Sequence, residues 1–160
     1  HDTKIDDHHI LILQYKIAST YLGNRDYENC IQELEKIVYH KTTSVRDDLS
    51  FNSRMLTLMA MLDSGLDENF ENFMEESRRM QKKMKHGSPF YQLTLDLFQE
   101  IYDVFPDQRK VVAQKYLKIF QKMMETPYNT RSFVYLDIIS WLESVIENRF
   151  IADIIQEKSN

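Results

Sequence analysis

The segment from Tyr21 to Val38 constrains the fold of this chain more than any other. Gly23 follows an apolar run and predicts that one helix ends there with a left-handed cap, and Asp26 is a candidate N-cap for the next helix. The apolar residues after Asp26 recur at spacings of three and four, which gives one stripe: Tyr27, Cys30, Ile31, Leu34, Ile37 and Val38. A helical hairpin of this kind cannot bury its apolar faces alone and is typical of stacked interaction surfaces.

The composition indicates the same class of structure. The 160 residues include only three Gly and three Pro, with 42% hydrophobic and 28% charged residues. So few turn-forming residues cannot connect the many short strands of an all-β fold. We therefore predict an all-α fold, and the length suits a single domain of residues 1–160.

Helical periodicity recurs along the chain and predicts seven or eight antiparallel helices. No break between them exceeds about six residues, which is within the usual length of helix connections. Gly65 and two segments that contain proline mark the later breaks. The predicted helices span residues 8–22, 26–38, 46–64, 67–85, 90–104, 106–125 and 131–147, with a last turn or short helix at 149–157.

The first hairpin resembles a tetratricopeptide repeat. Its residues Tyr21-Leu22-Gly23, Asp26-Tyr27 and the small Cys30 match the glycine end, the aromatic start and the small packing position of such a repeat. A second hairpin around Gly65 echoes it, although the two glycines lie 42 residues apart and the usual period is about 34. The resemblance implies degenerate hairpins stacked as a short α-solenoid.

A wider resemblance covers nearly the whole chain. The stretches Val45–Leu49, Ser77–Arg79 and Asp137–Ser144 look similar to the C-terminal part of long, uncharacterised bacterial proteins with tetratricopeptide-like repeats. This resemblance implies a C-terminal fragment of a longer chain that serves as a scaffold. It implies no enzymatic activity.

Charge and cysteine content narrow the classes of partner. A formal net charge of −5 and a pI near 5.5 give no general attraction to a phosphate backbone, so nucleic acid is not expected as a partner. No apolar run approaches the ~20 residues that cross a bilayer. The single cysteine rules out an internal disulfide framework and favours a cytoplasmic location.

The sequence offers no convincing catalytic or metal-binding set. His8 and His9 follow two aspartates, but adjacent helix residues point in different directions, so a solvated helix start is the simpler interpretation. Cys30 lies on an apolar stripe, where a thiol packs as a small hydrophobic group. Three isolated glycines cannot build a phosphate-binding loop. We expect no enzyme and no cofactor.

Methionine-rich positions on the third predicted helix suggest a peptide groove. If Gly65 marks the end of a first helix in the tetratricopeptide register, one set of residues faces the concave groove: Asn52, Met55, Met59 and Leu62. Flexible methionines suit surfaces that adapt to several partners. The alternative is that a neighbouring helix covers this set.

A basic patch at the end of the fourth predicted helix is a second candidate site. It consists of Arg78, Arg79, Lys82 and Lys83. It could dock an acidic partner or a phosphate. The alternative is that these cations only complement the helix macrodipole. Each such cation stabilises the helix by ~0.3 to 1 kcal/mol.

The N-terminal helix is more apolar than one packing partner requires. We expect a preceding repeat, or a second copy of the chain, to cover Ile10, Leu11 and Leu13. The predicted function is a non-catalytic scaffold that binds a protein or peptide through tetratricopeptide-like hairpins. One alternative is a regulatory or sensory domain that binds a small apolar ligand. Another is a helical support for an enzyme domain that lies upstream.

Overall fold

The computed structural model describes residues 2–40, 47–65, 68–84, 89–127 and 130–160. Within these ranges the chain forms nine α-helices and one short 3₁₀-helix and contains no strand, which confirms the all-α class. No helix in the described ranges has both the length and the apolar character needed to cross a bilayer.

The chain divides into two compact units, residues 1–80 and 81–160, and the boundary falls within α4. The first four helices are α1 (Asp2–Gly23), α2 (Tyr27–Val38), α3 (Asp47–Ser64) and α4 (Phe70–Lys83). The others are α5 (Pro89–Asp103), α6 (Arg109–Met124), α7 (Thr130–Tyr135), α8 (Ile138–Glu147) and α9 (Ile151–Ser159), and the 3₁₀-helix Pro106–Gln108 precedes α6.

The first unit is held together by packing among its first three helices. α1 contacts both α2 and α3, and α2 also packs against α3. Leu11, Ile37 and Leu49 bring one buried side chain from each helix into a shared cluster, and Ile12 and Tyr15 pack against it. Removing such apolar side chains from water is the main source of stability in a small helical unit.

The turn between α1 and α2 differs from the prediction. Gly23 is the last residue of α1, and the left-handed conformation falls on Arg25 (φ +60°). Two hydrogen bonds explain the shift, because Arg25 N donates to Leu22 O (3.1 Å) and Asp26 N donates to Tyr21 O (2.9 Å). This pair of bonds is a Schellman motif, whose left-handed position lies two residues beyond Gly23.

Two of the predicted helix boundaries are confirmed at the level of single contacts. Asp26 caps α2, because its carboxylate accepts a bond from Asn29 N (3.4 Å) and a second one from Asn29 Nδ2 (2.7 Å). Gly65 follows α3 with φ +75°, a left-handed conformation that glycine adopts without the strain a Cβ would bring.

Aromatic side chains dominate the core of the second unit. Phe90 from α5, Phe120 from α6 and Phe133 from α7 are buried, with ring centroids 4.8 to 6.1 Å apart. Phe98 meets Trp141 of α8 edge to face at 5.4 Å. α6 packs against both α5 and α8, and α8 packs against α9.

The predicted seventh helix is two helices, α7 and α8, so the expected count of seven or eight helices is too low. The break falls at Leu136 and Asp137. The Asp137 carboxylate accepts a hydrogen bond from Ser140 N at 3.0 Å and so starts a new helix. Here an N-capping side chain marks the helix boundary, without the glycine or proline that usually signals a break.

Candidate functional site

A cleft of about 330 Å³ lies in the first unit, between α2, α3 and α4. Its volume is at the lower end of the usual range for ligand sites, ~300 to 1,000 Å³. Ten described residues line the cleft: Ile31, Glu35, Val38, Tyr39, Thr57, Met61, Asn69, Asn72, Phe73 and Glu76.

The cleft exists because each helix presents a second face beside the face that it buries. On α2 the stripe of Cys30, Leu34 and Ile37 is buried. Ile31 and Glu35 follow Cys30 and Leu34 by one residue, so they lie on the next strip around the helix, at its edge. The same helix therefore supplies both core and cleft wall.

α3 and α4 supply the inner part of the wall. Thr57 is buried, and its hydroxyl donates to Ser53 O (2.8 Å), which leaves its methyl group for packing. Met61 lies one turn further along the same face of α3. Phe73 of α4 is also buried, so the cleft has an apolar interior beneath its polar residues.

Arg54 connects α3 and α4 beside the cleft. Its guanidinium carbon lies 4.9 Å from the centroid of the Phe73 ring, and its Nη1 lies 3.6 Å from Glu76 Oε2. Arg54 Nε and Nη1 are buried and have no acceptor within hydrogen-bond distance among the described residues. The guanidinium thus balances part of the Glu76 charge and stacks on an aromatic face.

The polar residues of the cleft carry a net negative charge. Glu35 and Glu76 each contribute a carboxylate, and Asn69 and Asn72 contribute neutral amides. None of the described lining residues is lysine or arginine. A binding partner would meet an apolar interior and an acidic edge.

The predicted methionine groove does not lie on an open surface. Asn52, Met55, Met59 and Leu62 are all buried, with exposed fractions of 3% or less, which matches the alternative that neighbouring side chains cover them. At 100° per residue, this set lies roughly 160° around α3 from the residues that line the cleft. A peptide could reach it only if the packed side chains moved.

The predicted basic patch lies on the C-terminal half of α4. Arg79 is exposed and pairs with Glu75 at 3.3 Å, and Arg78 is half-buried. Lys82 and Lys83 are exposed in the last turn of the helix, as the macrodipole interpretation expects. None of the four lines the cleft, so the patch stays a separate prediction.

The apolar N-terminal helix is partly covered. Leu11 packs with Ile37 and Leu49 in the core of the first unit, so helices of the same chain cover it, where a preceding repeat or a second copy was expected. Ile10 and Leu13 are about half exposed, and Ile17 is exposed as well. These three residues are spaced by three and four and form one exposed stripe, the α1 stripe, on the helix.

The potentially reactive side chains that the sequence singles out lie on two helices, Cys30 on α2 and His8 and His9 on α1. Burial raises the pKa of the Cys30 thiol to about 12, and the nearby Asp26 carboxylate adds to the increase, so the thiol is protonated near neutral pH. The His8 and His9 rings are tilted, with centroids 6.3 Å apart. No group of three or more His, Cys, Asp or Glu that could hold a metal occurs among the described residues.

Sequence reasoning missed most of the cleft. Ile31 and Val38 belong to the predicted apolar stripe of α2, but Glu35, Asn72 and Glu76 have the appearance of ordinary solvated helix positions. They meet only because α2 and α4 both flank the same face of α3. Spacing by four residues is a local signal that places pairs of lining residues on one helix face, as for Glu35 and Tyr39 or Asn72 and Glu76.

Comparison with known proteins gives no relative for this chain. No protein-family model, no curated protein and no solved structure matches it at a significant level. The residues and contacts of the cleft therefore carry the functional argument.

Proposed function

We propose that the chain is a non-catalytic protein-interaction scaffold built from tetratricopeptide-like helical hairpins, and that the cleft between α2, α3 and α4 binds a segment of a partner protein. The observation that carries this proposal is the cleft itself, about 330 Å³ in volume and lined by side chains from three successive helices.

The packing of the first unit supports a hairpin-repeat interpretation. α1 and α2 are joined by a short turn and contact each other, and α3 packs on both of them. In a helical-repeat array, each new hairpin covers the apolar faces that the preceding hairpin leaves open. The packing of α3 on the α1–α2 hairpin is the contact expected of the first helix of a following hairpin.

The chemistry of the cleft suits a protein segment. Protein interfaces combine a buried apolar centre with a polar rim, and aromatic and methionine side chains are enriched in them. Met61 and Phe73 supply the apolar centre, and Tyr39, Asn69 and Asn72 supply polar groups that are largely exposed. A volume of about 330 Å³ holds a few side chains, so we expect a short linear segment.

The same volume supports a second candidate, a sensory domain that binds one small apolar ligand. The two candidates differ in what co-purifies with the protein. A single small molecule of constant mass in native mass spectra would favour the ligand. A mass that equals the polypeptide alone, together with peptide binding at the cleft, would favour the scaffold.

A peptide-display selection tests the proposed function. The whole chain is immobilised and challenged with random 12-residue peptides, and enriched peptides are then measured by fluorescence anisotropy. Asn72→Trp fills the mouth of the cleft with a large ring at an exposed position. Gln32→Trp is the matched control, because Gln32 is an exposed amide on α2 that does not line the cleft.

The proposal expects enriched peptides whose binding is lost in Asn72→Trp and kept in Gln32→Trp. Circular dichroism and thermal unfolding of both variants establish that they are folded. Equal binding by the two variants, or no enrichment in repeated selections, would contradict the proposal that the cleft is the binding site.

A further inference from the structure

Glu35 carries the least balanced charge in the cleft. It is the fourth residue from the C-terminal end of α2, where the helix macrodipole disfavours an anion. It forms no ion pair with any described residue, whereas the neighbouring Lys36 pairs with Glu33 at 2.9 Å. Glu76, the other carboxylate of the cleft, already lies 3.6 Å from the Arg54 guanidinium. A cationic group on a bound partner would therefore form its most favourable electrostatic interaction in the cleft with Glu35.

Tyr39 adds an aromatic ring to the same wall of the cleft as Glu35. It lies four residues after Glu35, so both side chains project from the same side of the chain at the end of α2. Tyr39 is 61% exposed, which is high for a large aromatic residue. A carboxylate and an exposed ring together form a site for a lysine or arginine, through an ion pair and a cation–π contact.

The apolar side chains of the cleft determine which residues of a bound segment can lie beside that cation. Ile31 and Val38 lie on the same strip of α2, and Met61 and Phe73 form the interior opposite them. These four side chains offer contacts for aliphatic or aromatic groups and no hydrogen bonds from their side chains. A residue that packs against these four side chains must therefore be apolar.

We propose that the cleft binds a peptide segment in which a lysine or arginine stands beside one or two large apolar residues. The cation pairs with Glu35 and lies over the Tyr39 ring, and the apolar side chain packs against Met61 and Phe73. This inference rests on the proposed function and names the chemistry of the partner. The charge complementarity of the cleft excludes an acidic segment as the preferred occupant.

The test uses the peptide that the display selection enriches most strongly. It is synthesised in two forms, as selected and with its basic residue replaced by glutamine. Binding of each form to the parent chain, to Glu35→Gln and to Glu28→Gln is measured by fluorescence anisotropy at low and high salt. Glu28 is the matched control because it is an exposed glutamate on the same helix outside the cleft.

We expect Glu35→Gln to weaken the selected peptide about two- to five-fold, the effect of one exposed ion pair, and Glu28→Gln to leave its Kd unchanged. The glutamine form of the peptide should bind the parent chain as weakly as the selected peptide binds Glu35→Gln. Its affinity should not decrease further in Glu35→Gln. The dependence of binding on salt should decrease in Glu35→Gln. Folding is not at risk, because removing an anion from the C-terminal turn stabilises the helix.

Two negative results are distinguishable. Enriched peptides that are acidic or uncharged, or that bind Glu35→Gln as well as the parent chain, would overturn the inference. The proposed function would survive that result if Asn72→Trp still abolished their binding. If Asn72→Trp also had no effect, both proposals would fail together.

Discussion

At the scale of single residues, Cys30 and Tyr27 couple folding to pH in the alkaline range. Burial is the main cause for both, and it raises the pKa of the Cys30 thiol and of the Tyr27 phenol to about 12. The negative charge of Asp26 adds to the increase at Cys30, and that of Asp63 adds to it at Tyr27. In the unfolded chain these groups ionise at ordinary values, 9.0 and 10.0.

The sign of the pH dependence follows from these raised pKa values. Well below pH 9 both groups are protonated in both states and contribute no pH dependence. Above pH 9 the unfolded chain releases protons that the folded chain retains, so ionisation favours unfolding. We expect the free energy of unfolding to fall between pH 9 and pH 12, by about 1.4 kcal/mol per pH unit where the Cys30 thiol is ionised in the unfolded chain alone. Tyr27 should add a smaller decrease, because solvent screens its partly exposed phenol.

The contribution of Cys30 is isolated by Cys30→Ala. Urea unfolding at pH 8, 9, 10 and 11 should give a smaller loss of stability with pH in Cys30→Ala than in the parent chain. The parent thiol should also resist alkylation by iodoacetamide at pH 8 until urea unfolds the chain, because the thiolate is the reactive form. Parallel pH profiles for the two proteins would contradict the buried, protonated thiol.

At the scale of the secondary-structure elements, one capping side chain decides whether residues 130–147 form one helix or two. Asp137 accepts a hydrogen bond from Ser140 N at 3.0 Å. Asp137→Ala removes the acceptor, and we expect a loss of about 1 kcal/mol in the free energy of unfolding. Asp137→Asn keeps an acceptor of similar reach and should lose only a few tenths. Equal losses in the two variants, measured by urea unfolding, would show that the cap is not the cause.

The two left-handed helix ends of the first unit give a pair of predictions with opposite signs. Arg25 has φ +60° and Gly65 has φ +75°. A Cβ in this conformation costs roughly 1 to 2 kcal/mol, although glycine loses more chain entropy on folding. We expect Arg25→Gly to stabilise the chain by about 0.5 kcal/mol and Gly65→Ala to destabilise it by about 1 kcal/mol. Thermal unfolding would contradict the assignment if both changes shifted the midpoint in the same direction.

The elements also explain how far the sequence could predict the structure. Asp26 and Gly65 are strong local signals, and both predictions are confirmed because capping depends on neighbours within a few residues. Gly23 is also a strong signal, but the hydrogen bonds of the Schellman motif extend α1 to it and move the left-handed position to Arg25. Asp137 was missed because an aspartate in a helical pattern is normally a surface residue.

Helix patterns predict only part of the cleft. Ile31 and Val38 belong to the predicted apolar stripe of α2, but polar lining residues such as Glu35 and Asn72 lie on strips that periodicity does not mark. Met55 and Met59, which the repeat register placed in a groove, are instead buried. Glu35 and Asn72 belong to different helices, and only the packing around α3 brings them to one site.

At the scale of the whole molecule, the α1 stripe should govern self-association. Ile10, Leu13 and Ile17 are 49%, 57% and 38% exposed and follow one another along the same face of α1. Contiguous exposed aliphatic side chains favour contacts that remove them from water. We expect the chain to form a dimer or larger species as its concentration increases. Sedimentation equilibrium at several concentrations measures this.

Leu13→Lys should shift that equilibrium toward the monomer, because a charge at the centre of the α1 stripe would have to lose its hydration in the contact. Gln32→Lys is the matched control, since it makes the same change in net charge at an exposed position of α2. Simple charge repulsion would affect both variants equally, whereas burial of the α1 stripe affects Leu13→Lys alone. A parent chain that stays monomeric at all concentrations would mean that three exposed side chains are too small a surface to hold two copies together.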